Sequence, residues 1–349
     1  MSGDIHIRRQ GRAGRITLTR PKALNAMSYA MCLAIEAALD AWREDDEVAL
    51  VLIDAEGDRA FCAGGDIQQL YETGRAGDYA YGRRFWADEY RLNAKIARYP
   101  KPYVALMQGF VMGGGVGIAC HGSHRVVCES TQVAMPECGI GLVPDVGGSL
   151  LLARAPGRMG EYLGTTGARM GPGDAVYCGF ADSYVPELKW GEMISALVDS
   201  GDPGGIDAVR EAPPEGGLRA RQGEVDAHFG GEGLHDIVNS LRAGDGDFVQ
   251  DALKAMGRGA PLSMACCIEI IHRLRGPGAE IGRALGLEYR FTYRAMEQGD
   301  FLEGIRAAII DRDRKPQWKH ELDSLPGYAV SQMLMPLGPD ALKLEEETQ

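Results

Sequence analysis

The amino-acid sequence predicts an α/β core followed by an α-helical region. Three observations carry this. Apolar strand-like runs alternate with helix-like runs through the first 195 residues, and several are joined by glycine-rich corners such as "FCAGGD" and "MGGGVG". The texture changes near Ser200, where a loose Gly- and Pro-rich stretch gives way to segments of helical spacing only. The composition, 45% hydrophobic and 25% charged over 349 residues, supplies ample core for one large or two ordinary domains. The two parts are expected at 1–195 and 196–349.

Taken in order, "GRITLTR" (Gly14 to Arg20) alternates like a strand, and "PKALNAMS" follows as a loop. "YAMCLAIEAALDAWRED" (Tyr29 to Asp45) has helical apolar spacing and good helix formers. "VALVLIDAEG" (Val48 to Gly57) reads as a buried strand with a glycine stop. "FCAGGDIQQLYE" turns from strand through glycines into a helix, and "PYVALMQGFVMGGGVGIACHG" repeats that logic. "HRVVCESTQVAMPE" supplies two more short strands. Beyond the loose stretch, "GLHDIVNSLRAG", "DFVQDALKAMGRG", "SMACCIEIIHRLRG" and "IGRALGLEYRFTYRAMEQG" are predicted helices, each ending near Gly.

A formal net charge of -12 argues against a nucleic-acid partner, which needs a basic face. Eight cysteines without a CxxC pair, and a polar start "MSGDIHIRRQ", read as reduced thiols in a cytoplasmic protein. The apolar stretch Tyr103 to Cys120 is long enough to raise a membrane question, but Gln108 and five glycines from Gly109 to Gly117 argue for strand, turn and helix instead. His121 and His124 form an HxxH pair with no third ligand nearby in sequence, so no metal is expected. Cys62 reads as core packing, with no histidine partner evident.

Glycine at a strand-to-helix corner lets a ligand approach backbone N–H groups, and a helix N-terminus adds unsatisfied donors. Two such corners aimed at one point would make an oxyanion hole. Either corner alone is more often a plain turn than a site. "MGGGVGIAC" lacks the Lys-Ser/Thr ending of a phosphate loop. Two acids, Glu137 and Asp145, sit in the apolar, glycine-rich run "MPECGIGLVPDVGG". Read alone, Glu137 is a turn acid and Asp145 a helix N-cap.

"FCAGGD", "MGGGVG" and "MPECGIGLVPDVGG", in that order, resemble the crotonase superfamily, whose members handle acyl-CoA thioesters. "KPYVALMQGFVMGGGVGI", "AMPECGIGLVPDVGG", "EYR" at Glu288–Arg290 and "EGIRAAIIDRDRKPQW" narrow the resemblance to the 3-hydroxyisobutyryl-CoA hydrolase family. It covers nearly the whole chain and is weakest around residues 200–235. The resemblance implies a crotonase-type spiral of ββα units with helices packed behind it. It implies oxyanion donors in the N–H groups of Gly65 and Gly114, catalytic acids in Glu137 and Asp145, and a substrate-contacting acid in Glu89 of "FWADEY". Without the resemblance, Glu89 reads as a solvated helix residue. The loop "RPKALNA" matches a coenzyme A-contacting loop, so Ala23 and Leu24 are expected to touch the coenzyme, together with Ala63, Asp66 and Ile67. Asp66 is also expected to cap the helix after its corner.

Hydratases of the superfamily resemble one another in flanking the substrate's double bond with two glutamates. The first of those positions is Gly117 here, the second is kept as Glu137, and Asp145 stands where hydratases usually carry glycine. Alkene hydration needs acid–base groups poised on both carbons, so the pattern implies hydrolysis of a short 3-hydroxyacyl-CoA, 3-hydroxyisobutyryl-CoA of valine breakdown in particular. An enoyl-CoA hydratase or isomerase is the first alternative and a non-catalytic acyl-CoA-binding protein the second. No cofactor is expected beyond the coenzyme A of the substrate. A homo-oligomer is open, since many crotonases form trimers or hexamers, while the longer C-terminal region could cover that surface.

Overall fold

The computed structural model describes residues 3–344. The chain divides into two compact units that interleave along the sequence. One comprises the described residues as far as Gly65, with Leu92–Ala134 and Arg169–Arg219; the other comprises Asp66–Arg91, Met135–Ala168 and the described residues from Ala220 on.

All strands of the first unit fall into two sheets. β1 (Ile5–Gln10), β2 (Ala13–Leu18), β3 (Leu50–Ala55), β5 (Tyr103–Met107), β7 (His124–Val127) and β9 (Ser183–Tyr184) form a six-stranded sheet in the order β1-β2-β3-β5-β7-β9. β1 and β2 are antiparallel and every later pair is parallel. β4 (Ala60–Cys62), β6 (Phe110–Met112) and β8 (Gln132–Ala134) form a smaller parallel sheet. Each large-sheet strand from β3 to β7 is followed at once by a small-sheet strand. This is the repeating two-strand unit of the spiral that the crotonase resemblance implied.

β3 and β5 are buried on both faces, which is why their sequences run LVLI and YVALM without alternation. Leu50, Leu52, Val104, Leu106 and Val126 line one face and are covered by Trp190, Met193 and Leu197 of the helix Trp190–Ser200. β1 was not anticipated: "IHIRRQ" carries charge at two of its six positions, Arg8 and Arg9, as suits an edge strand. The Tyr103–Cys120 stretch is β5, β6 and the helix Gly114–Ala119. Among the described residues, no helix is long and apolar enough to cross a membrane.

The second unit is helical. Its most buried element is Pro261–Leu274, with eleven buried residues, and Ile281–Ala295 buries Ala284, Leu285, Glu288, Phe291 and Thr292 along one stripe. The i, i+3, i+4, i+7 spacing of those five is that of one helix face.

Candidate active site

The glycine corners belong to the first unit. β4 ends at Cys62, and the chain turns through Gly64, at φ +117°, and Gly65 before the helix Ile67–Arg75. β6 ends at Met112 and turns through Gly113, with φ 50° and ψ −121°, into Gly114–Ala119. The structure packs these corners together. A Cβ on Gly115 would lie 2.2 Å from the Cys62 carbonyl oxygen, and one on Gly64 3.6 Å from that of Met112. Gly115 is therefore glycine because backbone occupies its side-chain space. Gly114 opens its helix, so its N–H has no intrahelical acceptor. The space over Gly65 is open, with nothing within 4 Å of a built Cβ.

The "RPKALNA" loop joins the first corner. Ala63 N–H donates to the Leu24 carbonyl at 3.0 Å, and Met27 N–H to that of Gly64 at 2.9 Å. Leu24 and Asn25 take left-handed backbone, at φ 52° and 53°. Buried Asn25 holds that shape: its Nδ2 donates to the Glu56 and Ala60 carbonyls at 2.9 Å, and its Oδ1 accepts from Arg20 N–H at 2.8 Å. Ala23 is exposed and Leu24 half-buried. Asp66 and Ile67 follow at the start of the next helix, also half-buried. Asp66 takes the N-cap position, but its side chain makes no capping hydrogen bond, so the expected cap is corrected.

The acids belong to the second unit. Glu137 begins a short 3-10 helix, Glu137–Ile140, and is 5% exposed; Asp145 is 4% exposed and Glu89, on the helix Tyr79–Ala97, 3%. None is a solvated acid, which corrects the stand-alone readings of Glu89 and Glu137. Nor is Asp145 a cap: the helix Gly148–Arg154 has Gly147 at its N-cap, and Asp145 Oδ2 instead accepts from the Tyr90 hydroxyl at 2.7 Å. Sequence reasoning missed two members of this cluster, Tyr90 and Glu288. Both are fully buried.

Burial pushes each of these carboxyls up, because the charged form loses its water. Asp145 rises to about 7, burial outweighing the Tyr90 hydrogen bond that favours its anion. Glu137 rises well above the usual carboxylate range through burial and then through the neighbouring Asp145 and Glu288. Glu89 does so through burial and then Asp145. Glu288 rises to about 8 despite donors from Ser149 and Gly147. Glu137 Oε2 is buried without a hydrogen-bond partner among the described residues. An unpaired buried oxygen is costly and suits a group whose partner is a ligand. Because each of Glu89, Glu137 and Glu288 is raised in part by Asp145, these carboxyls titrate as an interacting group rather than as independent acids.

The enoyl-CoA hydratase/isomerase family model matches residues 13–334. The chain belongs to the enoyl-CoA hydratase/isomerase family. Within it, the chain is 35% identical to 3-hydroxyisobutyryl-CoA hydrolase, mitochondrial, of Gallus gallus, over 98% of this chain and 91% of that one. It is likewise 35% identical to 3-hydroxyisobutyryl-CoA hydrolase 1 of Arabidopsis thaliana, over 91% and 87%. Among solved structures, it matches one described as an enoyl-CoA hydratase from Rhodobacter sphaeroides with a TM-score of 0.93 and 56% identity, over 97% and 99% of the two chains. A carnitinyl-CoA dehydratase from Mycobacterium thermoresistibile matches with a TM-score of 0.93 and 39% identity, over 99% of each chain. These structures carry the crotonase fold that the motifs implied. The cytoplasmic expectation is corrected: the hydrolases of Gallus gallus, Danio rerio and Rattus norvegicus are named mitochondrial. Free thiols mark any reducing compartment and never separated the two.

Proposed function

We propose that this family member hydrolyses 3-hydroxyisobutyryl-CoA to 3-hydroxyisobutyrate and coenzyme A, a step of valine breakdown. The observation that carries the reading is the acid pattern. Asp145 is buried with Glu137 in one cluster, while Gly117, the position of the first hydratase acid, is a side-chain-free residue of the helix Gly114–Ala119. The names of the hydrolase relatives support the same reading.

In this mechanism the N–H groups of Gly65 and Gly114 hold the thioester carbonyl oxygen and stabilise its developing charge. Glu137, protonated while buried among these carboxyls, gives up its proton to water and attacks the carbonyl carbon as the carboxylate; the C–S bond breaks and coenzyme A leaves as thiolate, which takes up a proton from water in turn. Water then opens the resulting anhydride and regenerates the Glu137 carboxyl. Asp145, held by Tyr90, receives the substrate's 3-hydroxyl and orients the water, and Glu89 closes the acyl end. Ala23, Leu24, Ala63, Asp66 and Ile67 contact the coenzyme. The chain's own groups suffice for every step, with coenzyme A entering as part of the substrate.

The hydratase named among the solved structures gives the competing reading. Crotonyl-CoA separates the two: the hydratase consumes its double bond without freeing thiol. The reading predicts thiol release from 3-hydroxyisobutyryl-CoA and no loss of the crotonyl-CoA alkene. Rapid alkene loss with no thiol release from either ester reverses it.

A further inference from the structure

Glu288 is fully buried on the helix Ile281–Ala295, and the mechanism above does not use it. Its Oε2 accepts from Gly147 N–H at 2.8 Å, and its Oε1 from Ser149 N–H at 3.1 Å and from the Ser149 hydroxyl. These groups lie just past Asp145. Between them, Val146 holds φ +52° and Gly147 φ +79°. A β-branched residue in left-handed backbone is an uncommon, strained state that persists only when its surroundings impose it. The Glu288 carboxyl group is such an imposition, since without its oxygens two buried N–H groups lose their acceptors. One turn along the same helix face, Thr292 Oγ1 lies 3.4 Å from the Tyr90 hydroxyl, which in turn donates to Asp145. A single helix face thus touches the backbone that follows Asp145 and the residue that grips its side chain.

We propose that Glu288 is a positioning residue: it holds the 146–149 turn in its strained form and so presents Asp145 to the substrate. The proposal rests on the role given to Asp145 above. A cap that served only the helix Gly148–Arg154 would need neither Val146 strained nor Thr292 against Tyr90.

The test is a kinetic cycle on the full-length enzyme, joined to a crystal structure. Glu288→Gln replaces one acceptor oxygen with an NH₂ group that opposes an N–H donor. It is expected to lower kcat about 30- to 100-fold with KM within about threefold, since a misplacement of about 1 Å costs up to about 10²-fold. Added to Asp145→Asn, it is expected to cost no more than about threefold further, because both act through one group. Losses that multiply independently, or an unchanged kcat in a folded variant, overturn the proposal. If Glu288→Gln does not fold, Glu288→Asp keeps the carboxyl group but shortens the reach, and an intermediate loss with the same non-additivity is expected. If the unaltered enzyme releases no thiol, the hydrolase reading fails, and the crystal structure of the variant decides this proposal alone. Tyr90 and Asp145 separated beyond about 3.5 Å support it, and the turn and that hydrogen bond intact overturn it.

Discussion

The Tyr90 hydroxyl donates to Asp145 Oδ2 across 2.7 Å, with both residues buried. Burial alone would push Asp145 further up than its value of about 7, and this hydrogen bond is what holds it near neutrality. The acid limb of kcat is therefore expected near pH 7 rather than near 4. Tyr90→Phe removes the donor, so the limb is expected to move upward and kcat at pH 7 to fall about 10- to 100-fold, the worth of a hydrogen bond to a charged group. The loss shrinks at pH 9. A pH–rate profile with the limb unmoved removes Tyr90 from this role.

Glu137→Gln is expected to lower kcat by at least about 10³ while leaving binding of a CoA ester nearly intact, because a nucleophile acts only in the transition state. Steady-state kinetics beside calorimetry of a non-hydrolysable thioether analogue checks this. A variant retaining a tenth of the turnover excludes Glu137 from the chemistry.

Asp145→Asn is expected to impair activity and yet stabilise the fold at alkaline pH. The folded-state value of Asp145, about 7, is raised above the ordinary 3.8. Its contribution to stability is thus full below about pH 4 and lost as pH rises through 7. Relative to the unaltered protein, the Tm of Asp145→Asn should rise by a few degrees at pH 8 and little at pH 4. A variant destabilised equally at both values shows that the carboxylate serves the fold instead.

Glu161 gives the opposite sign. It is buried, yet hydrogen bonds from His272 and Arg275 outweigh burial and hold it at about 2. Arg275 Nε and Arg158 Nη1 each lie 3.1 Å from its Oε1. That stability is present above the ordinary carboxylate range and lost as pH falls through 2. Glu161→Gln is expected to cost about 2–3 kcal/mol near pH 7, below the figure for a fully buried pair because the arginines are partly exposed. Urea titrations should show the gap closing between pH 5 and 2, with turnover per folded molecule unchanged. A gap that is constant with pH shows that packing, not charge, is at stake.

The glycine corners and the Glu137–Asp145 spacing were legible in the sequence because each is local: a strand end, a turn and an acid within fifteen residues. Glu89, Tyr90 and Glu288 were harder because their meaning depends on partners far along the chain. A signal was nonetheless present. Glu89 lies three and four residues from Trp86 and Phe85, and Glu288 from Leu285, Ala284, Phe291 and Thr292, all buried. An acid on the apolar face of a helix is rarely solvated. Periodicity alone could have marked both as buried, though not what they hold. The interleaving of the two units along the chain was not readable, since it depends on long-range packing rather than on any local composition.

Asp145 and Glu137 are proposed to make this chain a hydrolase for a 3-hydroxyacyl thioester. The most direct measurement is thiol release from 3-hydroxyisobutyryl-CoA and isobutyryl-CoA, compared as kcat/KM under one set of conditions. These esters differ only by the hydroxyl assigned to Asp145, and a site built to hydrogen-bond a hydroxyl rejects the analogue that lacks it. The account predicts a preference of at least about 10² for the hydroxylated ester. Equal values for the two esters would contradict it.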